Sequence, residues 1–103
     1  MMRADVIDLI TETESAHGVH DTVTETARTV YCTVRSVTRS EFYNALNAGV
    51  QPEYVFVLAL SDEYQGERVV RYHGQKFRVV RTYVTEDDGI EITCERGDVN
   101  GTD

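Results

Sequence analysis

Two histidines and two cysteines are the residues of this chain whose types best suit metal or nucleophilic chemistry. His17 and His20 lie in the segment His-Gly-Val-His, and Cys32 and Cys94 could complete a zinc set of four ligands. The spacing matches no common zinc module, and both cysteines share the alternation of neighbouring valines and isoleucines. We therefore predict no metal site and interpret both cysteines as small buried hydrophobes.

A cysteine hydrolase would need a thiol beside an imidazole in a cleft. The remaining histidine, His73, precedes Gly74 in a predicted hairpin turn and is expected to face water. The carboxylates of residues 86–88 also lie in a predicted turn, where a solvated loop is a simpler interpretation than an acid–base pair. The sequence contains no glycine-rich phosphate loop. We predict no catalytic residues and no cofactor, and expect a protein that is not an enzyme.

Length and charge exclude further classes of protein. The chain has 103 residues, enough for one domain, and a formal net charge of −8. Proteins that grip DNA cluster Lys and Arg, so the acidic excess disfavours DNA binding. The first ten residues carry acids where a signal peptide needs basic residues, and the longest apolar run, residues 55–60, is too short to cross a bilayer. We expect an untargeted cytosolic chain without membrane contact.

The elements that would position these residues are mostly strands. Residues 6–10 and 29–37 are predicted strands, the second because apolar and polar residues alternate along it. Residues 11–27, which are polar and rich in Thr and Glu, are predicted as a long loop. Residues 54–61 are apolar on both faces and predict a buried central strand.

Residues 39–48 predict a short helix, inside an insert that spans residues 39–51. Ser40 is the predicted N-cap. The apolar residues at helical spacing are Phe42, Tyr43 and Leu46. Two interpretations remain open for these side chains: they pack the helix onto the protein, or they form an anchor for a partner.

Residues 68–72 and 75–84 predict a β-hairpin whose two-residue turn is His73-Gly74. The register pairs Val70 with Phe77 in the interior. It also brings three basic residues onto the opposite face: Arg71, Lys76 and Arg78. That face is either solvated surface or a docking site for an acidic partner or neighbouring subunit. Nucleic-acid contact is disfavoured because the face lacks interleaved aromatic residues.

A second turn, residues 86–89, leads to a strand at 90–94 whose odd-even alternation points Ile90, Ile92 and Cys94 inward. Six mainly antiparallel strands with one short helix predict an all-β fold, a small closed or nearly closed barrel. Residues 1–97 would form this single domain. Residues 98–103 have nothing to bury and are predicted to be a flexible tail.

Residues 28–97 carry four short motifs in an order that resembles one known family. The motifs are V-x-S-V…E-F-Y-x-A…G-x-x-P-E at residues 34–53, Y-x-G-E followed by V-x-Y-x-G-x-x-F-x-V-x-R-T-Y at residues 64–83, and I-E-I-T-C at residues 90–94. The chain is thereby similar to the head-closure, or head–tail joining, proteins of tailed bacteriophages and prophages. The polar segment 11–27 also resembles that family's N-terminal loop.

The resemblance implies a structural virion protein without enzymatic activity. Such a protein assembles as a ring beneath the portal and adaptor rings, helps to retain the packaged DNA and presents a surface to the tail. The implied partners are other copies of the chain, the portal or adaptor protein and the tail protein, with passing DNA contacted only sterically. The implied location is the virion, assembled in the host cytoplasm. We expect interface residues among Arg71, Lys76, Arg78, Phe42 and Tyr43. The alternative function is a small non-enzymatic β-barrel that binds a peptide or protein partner.

Overall fold

The structure is a computed structural model that describes residues 3–17 and 20–96. The elements of these residues, in chain order, are β1 (Arg3–His17), β2 (His20–Ser36), α1 (Arg39–Asn47), β3 (Pro52–Leu58), a 3-10 turn (Ser61–Glu63), β4 (Val69–Tyr72), β5 (Gln75–Val84) and β6 (Ile90–Arg96). No helix in this part of the chain is long and apolar enough to span a membrane. The predicted tail, residues 98–103, lies outside the described residues.

The strands form one closed antiparallel barrel in the order β1-β2-β3-β6-β5-β4. β1 closes the barrel against β4 through only three Cα partner pairs, from Asp8–Arg71 to Ile10–Val69. The predicted fold class is therefore confirmed: an all-β, antiparallel barrel of about six strands with one short helix.

Alternate residues of the strands fill the barrel interior, as the two-residue period of a strand requires. Phe56 and Phe77 are among the largest fully buried side chains. Tyr72 meets Phe56 edge-on at 5.2 Å between ring centroids, and Tyr54 meets Phe77 edge-on at 5.3 Å. Edge-on aromatic pairs add about 0.5–1.5 kcal/mol each beyond the area they bury. With the interior filled by its own side chains, the barrel has its outer face and its extensions left for binding.

The β4–β5 hairpin forms as predicted. His73 and Gly74 have φ values of 50° and 77°, the two positive values that a type I′ turn requires. Val70 lies opposite Phe77, and Arg71 lies opposite Lys76. The hairpin therefore fixes which basic residues share the outer face.

The prediction of a loop at residues 11–27 is wrong, because these residues continue β1 and β2. Residues 11–17 pair with residues 20–26 in a regular antiparallel register that runs from Thr11–Thr26 to His17–His20. Thr alternates with other residues along this segment, and β-branched Thr favours extended backbone even without an apolar face. Low hydrophobicity was mistaken for lack of structure.

We call residues 11–17 and 20–26 the ribbon, since they pair only with each other. β1 reaches β4 only at residues 8–10, and β2 reaches β3 only at residues 33–36. Seven residues of strand extend about 23 Å at the usual rise. The longest dimension of the molecule, 48 Å against 29 Å and 23 Å, agrees with an arm that projects from a small barrel.

The predicted helix is confirmed at Arg39–Asn47, but its cap differs from the prediction. Thr38, not Ser40, is the N-cap: its hydroxyl accepts from the Glu41 N–H, and the Glu41 carboxylate accepts from the Thr38 N–H. This reciprocal arrangement satisfies two donors that a helix start leaves unpaired. Ser40 also had the right chemistry for a cap, and only the Thr38–Glu41 spacing distinguishes the two.

β5 changes its neighbours halfway along its length. Its first four residues, 75–78, pair with β4, while its last four, 81–84, pair with β6 alone. A register shift between Val79 and Arg81 leaves Val80 as the extra residue of a bulge. Beyond that bulge β5 has a neighbour on one side only.

The turn between β5 and β6 is held tightly against the end of β3. A Cβ atom at Gly89 would lie 2.8 Å from the Leu58 carbonyl oxygen, so only glycine fits there. The Asp88 carbonyl accepts from the Ser61 N–H at 2.7 Å, which joins the acidic turn at 86–88 to the 3-10 turn.

Candidate functional site

The three basic residues predicted for an interface come together on the outer face of the β4–β5 hairpin, and we call them the basic face: Arg71, Lys76 and Arg78. Arg71 and Lys76 are cross-strand partners, and Arg78 follows two residues later on β5. The sequence predicted that these three residues share one face, and the structure confirms that placement.

Carboxylates of the same chain form ion pairs with the basic face. Arg71 Nε lies 3.2 Å from Asp8 Oδ2, and a second nitrogen of Arg71 lies 3.6 Å from Glu25 Oε1. Lys76 Nζ donates to the other Glu25 oxygen. The hydrogen bond from Lys76 and the charge of Arg71 lower the pKa of Glu25. Glu25 therefore ties the ribbon to the barrel.

Arg78 forms an ion pair with a carboxylate that is buried on the outer side of the barrel. Glu95 is only 7% exposed, although it lies on the outward side of β6. Arg78 Nε donates to Glu95 Oε2 at 3.0 Å, and the Gln51 N–H donates to Oε1 at 3.1 Å. Burial alone would raise the pKa of Glu95, but these donors outweigh it and the pKa is lowered. Arg78 is itself exposed and pairs with Glu95 as well, and the interface role of the basic face stays a prediction.

A second ion pair at the base of the ribbon involves Glu67, which our reading of the sequence used only as part of a motif. Glu67 is 6% exposed and accepts from Arg28 at 2.6 Å and from the Gln65 N–H at 2.8 Å. Burial opposes ionisation of Glu67, yet the Arg28 and Gln65 donors leave its pKa lowered. Arg28 and Glu67 are 39 positions apart, so no local pattern could have paired them.

Helix α1 is attached by its polar side and exposes its apolar side. Arg35 on β2 donates to both carboxylate oxygens of Glu41, at 3.1 Å and 3.0 Å, and also reaches Glu91 on β6 at 3.3 Å. None of the residues of α1 is buried. We call its three large apolar side chains the aromatic helix face, and their exposures are 36% for Phe42, 59% for Tyr43 and 38% for Leu46.

The aromatic helix face lies outside the hydrophobic core of the barrel. Phe42 and Tyr43 contact each other edge-on at 6.0 Å, and neither ring has an aromatic partner among the described residues of the barrel. These side chains therefore contribute little to the barrel core, and their role as an anchor for a partner stays a prediction. A cleft of about 230 Å³ opens between α1 and the bulge of β5, lined by Ala45, Ala48, Val80 and Arg81 among others.

The residues considered for metal or nucleophilic chemistry are dispersed. Cys32 and Cys94 are free and buried, and burial raises the pKa of the Cys32 thiol to about 11 and that of Cys94 further. His73 is bound to Asp5 at 2.9 Å and stacks on Tyr72. Within the described residues, no three His, Cys, Asp or Glu side chains converge on a metal position. The His17–His20 motif spans residues 18–19, which lie outside the described residues.

Unpaired strand edges are the surface that the sequence did not indicate. β5 beyond Val79 pairs only with β6, and β2 from His20 to Cys32 pairs only with β1. The exposed apolar side chains next to these edges include Tyr31 on β2 and Tyr83 and Val84 on β5. These edges arise where one strand is longer than its neighbour. The lengths could be compared from the sequence only if the ribbon were first recognised as part of β1 and β2.

The comparisons with known proteins give no family for this chain. No protein-family model matches it, and no curated protein matches it.

Proposed function

We propose that this protein is a structural component of a tailed-phage or prophage virion that forms a ring at the junction of head and tail. In this proposal it closes the DNA-filled head beneath the portal and adaptor and joins it to the tail. It acts by binding other proteins and not as an enzyme. Its partners are further copies of itself, the portal or adaptor protein and the tail protein.

The observation that carries the proposal is the aromatic helix face. A helix of a self-sufficient small domain normally directs its apolar side chains into the core. Here Phe42, Tyr43 and Leu46 all lie toward solvent while polar contacts hold α1 in place. Aromatic residues in such positions are the usual anchors of protein interfaces.

Two further features support an assembly role. The residues that resemble the head-closure family, 28–97, include α1 and the whole β4–β5 hairpin. A net charge of −8 also suits a channel through which DNA passes, because each phosphate contact with a cation would add friction. Passing DNA would then be retained sterically.

The test is removal of the gene from the phage or prophage that encodes the protein, with the cloned gene supplied in trans. We expect filled heads that lose their DNA and carry no tails, together with free tails, when lysates are viewed by electron microscopy. Antibody labelling should place the protein at the neck of complemented particles. Normal infectious particles from the deletion strain would refute the proposal.

The second candidate is a small β-barrel that binds a peptide. The unpaired edge of β5 favours it, because an extended peptide adds to such an edge by main-chain hydrogen bonds. Isolation of the protein from infected cells distinguishes the two: a virion component sediments with particles, whereas a peptide-binding module stays in the soluble fraction with its ligand.

A further inference from the structure

The last residues of β5 present hydrogen-bonding groups that nothing in the described chain satisfies. The Thr85 N–H donates to the Gly89 carbonyl at 2.9 Å, which makes this pair a hydrogen-bonded one. Antiparallel ladders alternate between hydrogen-bonded and non-hydrogen-bonded pairs. Tyr83–Glu91 and Arg81–Thr93 are therefore the bonded pairs of β5 and β6, and the N–H and C=O groups of Thr82 and Val84 point away from β6. We call residues 80–84 the free edge of β5.

The free edge has two of the features that protect an edge strand, the bulge at Val80 and the charge of Arg81, but residues 82–84 beyond them have none. Such edges are normally shortened, covered, or interrupted by proline or lysine. β5 has neither residue between Val80 and Val84, and Arg81, Thr82, Tyr83 and Val84 are all exposed. An uncovered edge with exposed apolar side chains is suited to pairing with another strand.

A second unpaired edge of the same chain is its counterpart. Residues 20–32 of β2 pair with β1 alone, and we call them the open edge of β2. The other edge of the ribbon is less accessible near the barrel, since residues 65–68 flank Thr11 and Glu12 there. Tyr31, on the open edge, is 81% exposed, the highest value among the large hydrophobic side chains described.

The ribbon as a whole is acidic, whereas the free edge of β5 carries a cation. Residues 11–27 contain four acidic residues and no Lys or Arg: Glu12, Glu14, Asp21 and Glu25. Arg81, on the free edge, forms no ion pair among the described residues. Of the two acids on β2 within the ribbon, Asp21 and Glu25, the second is already paired with Lys76 and Arg71.

We propose that the free edge of β5 pairs with the open edge of β2 in a second copy of this chain. The two edges are different surfaces, so the contact is heterologous, and repeating it yields a closed ring or an open filament. Pairing brings the exposed Tyr31 and Tyr83 onto one continuous sheet, where cross-strand aromatic pairs are stabilising. As the subunit contact of the ring, this inference rests on the proposed function; as a self-association of the purified chain, it does not.

The test uses engineered cysteines, because the native Cys32 and Cys94 are buried and shielded from reagents. One preparation carries Tyr83→Cys on the free edge, and the other carries Tyr31→Cys or, to sample the register, Thr26→Cys on the open edge. The two are mixed at high concentration and treated with a short bismaleimide, which joins two cysteines by addition of each thiol to one maleimide. We expect a covalent dimer containing one chain of each kind, and a much lower yield from either preparation alone.

The matched variants are Thr82→Pro and Thr82→Ala in the Tyr83→Cys chain. Proline removes the Thr82 N–H, which faces away from β6, so the barrel ladder is kept and only edge pairing is lost. We expect Thr82→Pro to lower the yield of mixed dimer about tenfold, as the loss of one main-chain hydrogen bond predicts, and Thr82→Ala to leave it unchanged. Melting curves check that each variant folds, and Val84→Pro replaces Thr82→Pro if that variant does not.

Absence of mixed dimer at both open-edge positions, or a yield that Thr82→Pro and Val84→Pro leave unchanged, overturns the inference. If an added β-strand peptide prevents formation of the mixed dimer but Thr82→Pro does not, the contact lies elsewhere. The proposed function fails separately, if the protein is missing from particles while the purified chain still cross-links. Conversely, protein found at the neck whose cysteine variants do not cross-link in particles or in solution leaves the function standing and removes this contact.

Discussion

The guanidinium of Arg78 lies against Glu95, one of only two charged side chains that the described barrel buries. A buried carboxylate that loses its cation destabilises the fold, because nothing then offsets the cost of its desolvation. Reversing the charge of an exposed cation changes the free energy of unfolding little. Arg78 and Arg81 lie three residues apart on β5, and only Arg78 has a carboxylate partner in the described structure. Comparing Arg78 with Arg81 therefore distinguishes a cation that supports the fold from one that has no carboxylate partner in the described structure.

Arg78→Glu is expected to lower the free energy of unfolding by about 1–3 kcal/mol, since it places two carboxylates together. The matched change Arg81→Glu should stay within about 0.5 kcal/mol of the wild type, as an exposed substitution usually does. Urea unfolding of both variants measures the difference. Equal stabilities would mean that the Arg78–Glu95 contact contributes nothing to the fold. The cross-linking yield with Arg81→Glu, in turn, should fall.

The two thiols should be present but unreactive in the folded protein. Cys32 and Cys94 are buried, and the raised pKa of each thiol leaves little thiolate at neutral pH. Titration with a thiol reagent should find two free thiols after unfolding without reductant and slow reaction before it. Fewer than two thiols in the unfolded chain, or one bound zinc per chain by metal analysis, would contradict this.

At the scale of elements, α1 depends on one salt bridge that acid should break. Arg35 and the helix-start donors lower the pKa of Glu41 from 4.5 to about 2. The unfolded chain therefore takes up this proton at higher pH than the folded chain does. Stability from the contact is present above the unfolded pKa and is lost as the pH falls toward the folded pKa.

Glu41→Gln should cost about 1–2 kcal/mol at neutral pH, because Glu41 is partly exposed and its ion pair is partly screened. The difference in unfolding free energy between Glu41→Gln and wild type should shrink as the pH is lowered from about 4.5 to about 2. Comparing the two proteins removes the contribution of other carboxylates. Glu86→Gln, at an exposed turn residue without an ion pair in the described structure, is the control and should show no such trend. A difference that does not change with pH would contradict the assignment.

The aromatic helix face should matter for assembly and not for folding. Phe42→Ala combined with Tyr43→Ala removes two exposed rings, so we expect a melting temperature close to that of the wild type. In the complementation assay this double variant should yield few or no infectious particles. Leu60→Ala, which truncates an exposed apolar residue outside α1, is the control and should complement. Full complementation by the double variant would show that the face is only solvated surface.

Local patterns predicted the elements whose signals lie close together in the chain. His73-Gly74 gave the β4–β5 register because a two-residue turn fixes every pair that follows it. The alternation from Ile90 to Cys94 gave the inward face of β6 for the same reason. The ribbon could not be predicted in this way because its sequence is mostly polar, and apolar periodicity is the signal that indicates a strand.

The candidate site was predicted less completely than the fold. The positions of Arg71, Lys76 and Arg78 on one face followed from the hairpin, but their partners did not. Asp8 meets Arg71 across 63 positions and Glu25 meets Lys76 across 51. Such contacts depend on how the barrel closes, which a reading of one sequence does not supply. The free edge of β5 likewise arises because β5 is longer than its neighbour β4.

At the scale of the whole molecule, the distribution of ion pairs argues against DNA binding. Seven of the ten Lys and Arg residues are in ion pairs, and the three that are not, among the residues described, are Arg39, Arg68 and Arg81. We expect no shift of duplex or single-stranded DNA in a gel at physiological salt and low-micromolar protein. Binding under those conditions would show that a local basic patch overrides the net charge.

The three-pair seam between β1 and β4 has a consequence for the order in which the chain folds. During synthesis β1 and β2 leave the ribosome before β4 and can pair at once, because their contact is local. The seam needs β4, so one edge of β1 stays unpaired until β4 has also been made. Contacts of such large sequence separation slow folding and leave a nascent strand exposed to other chains. The same seam, the shortest ladder in the barrel, is where we expect amide exchange to report the first opening of the folded protein.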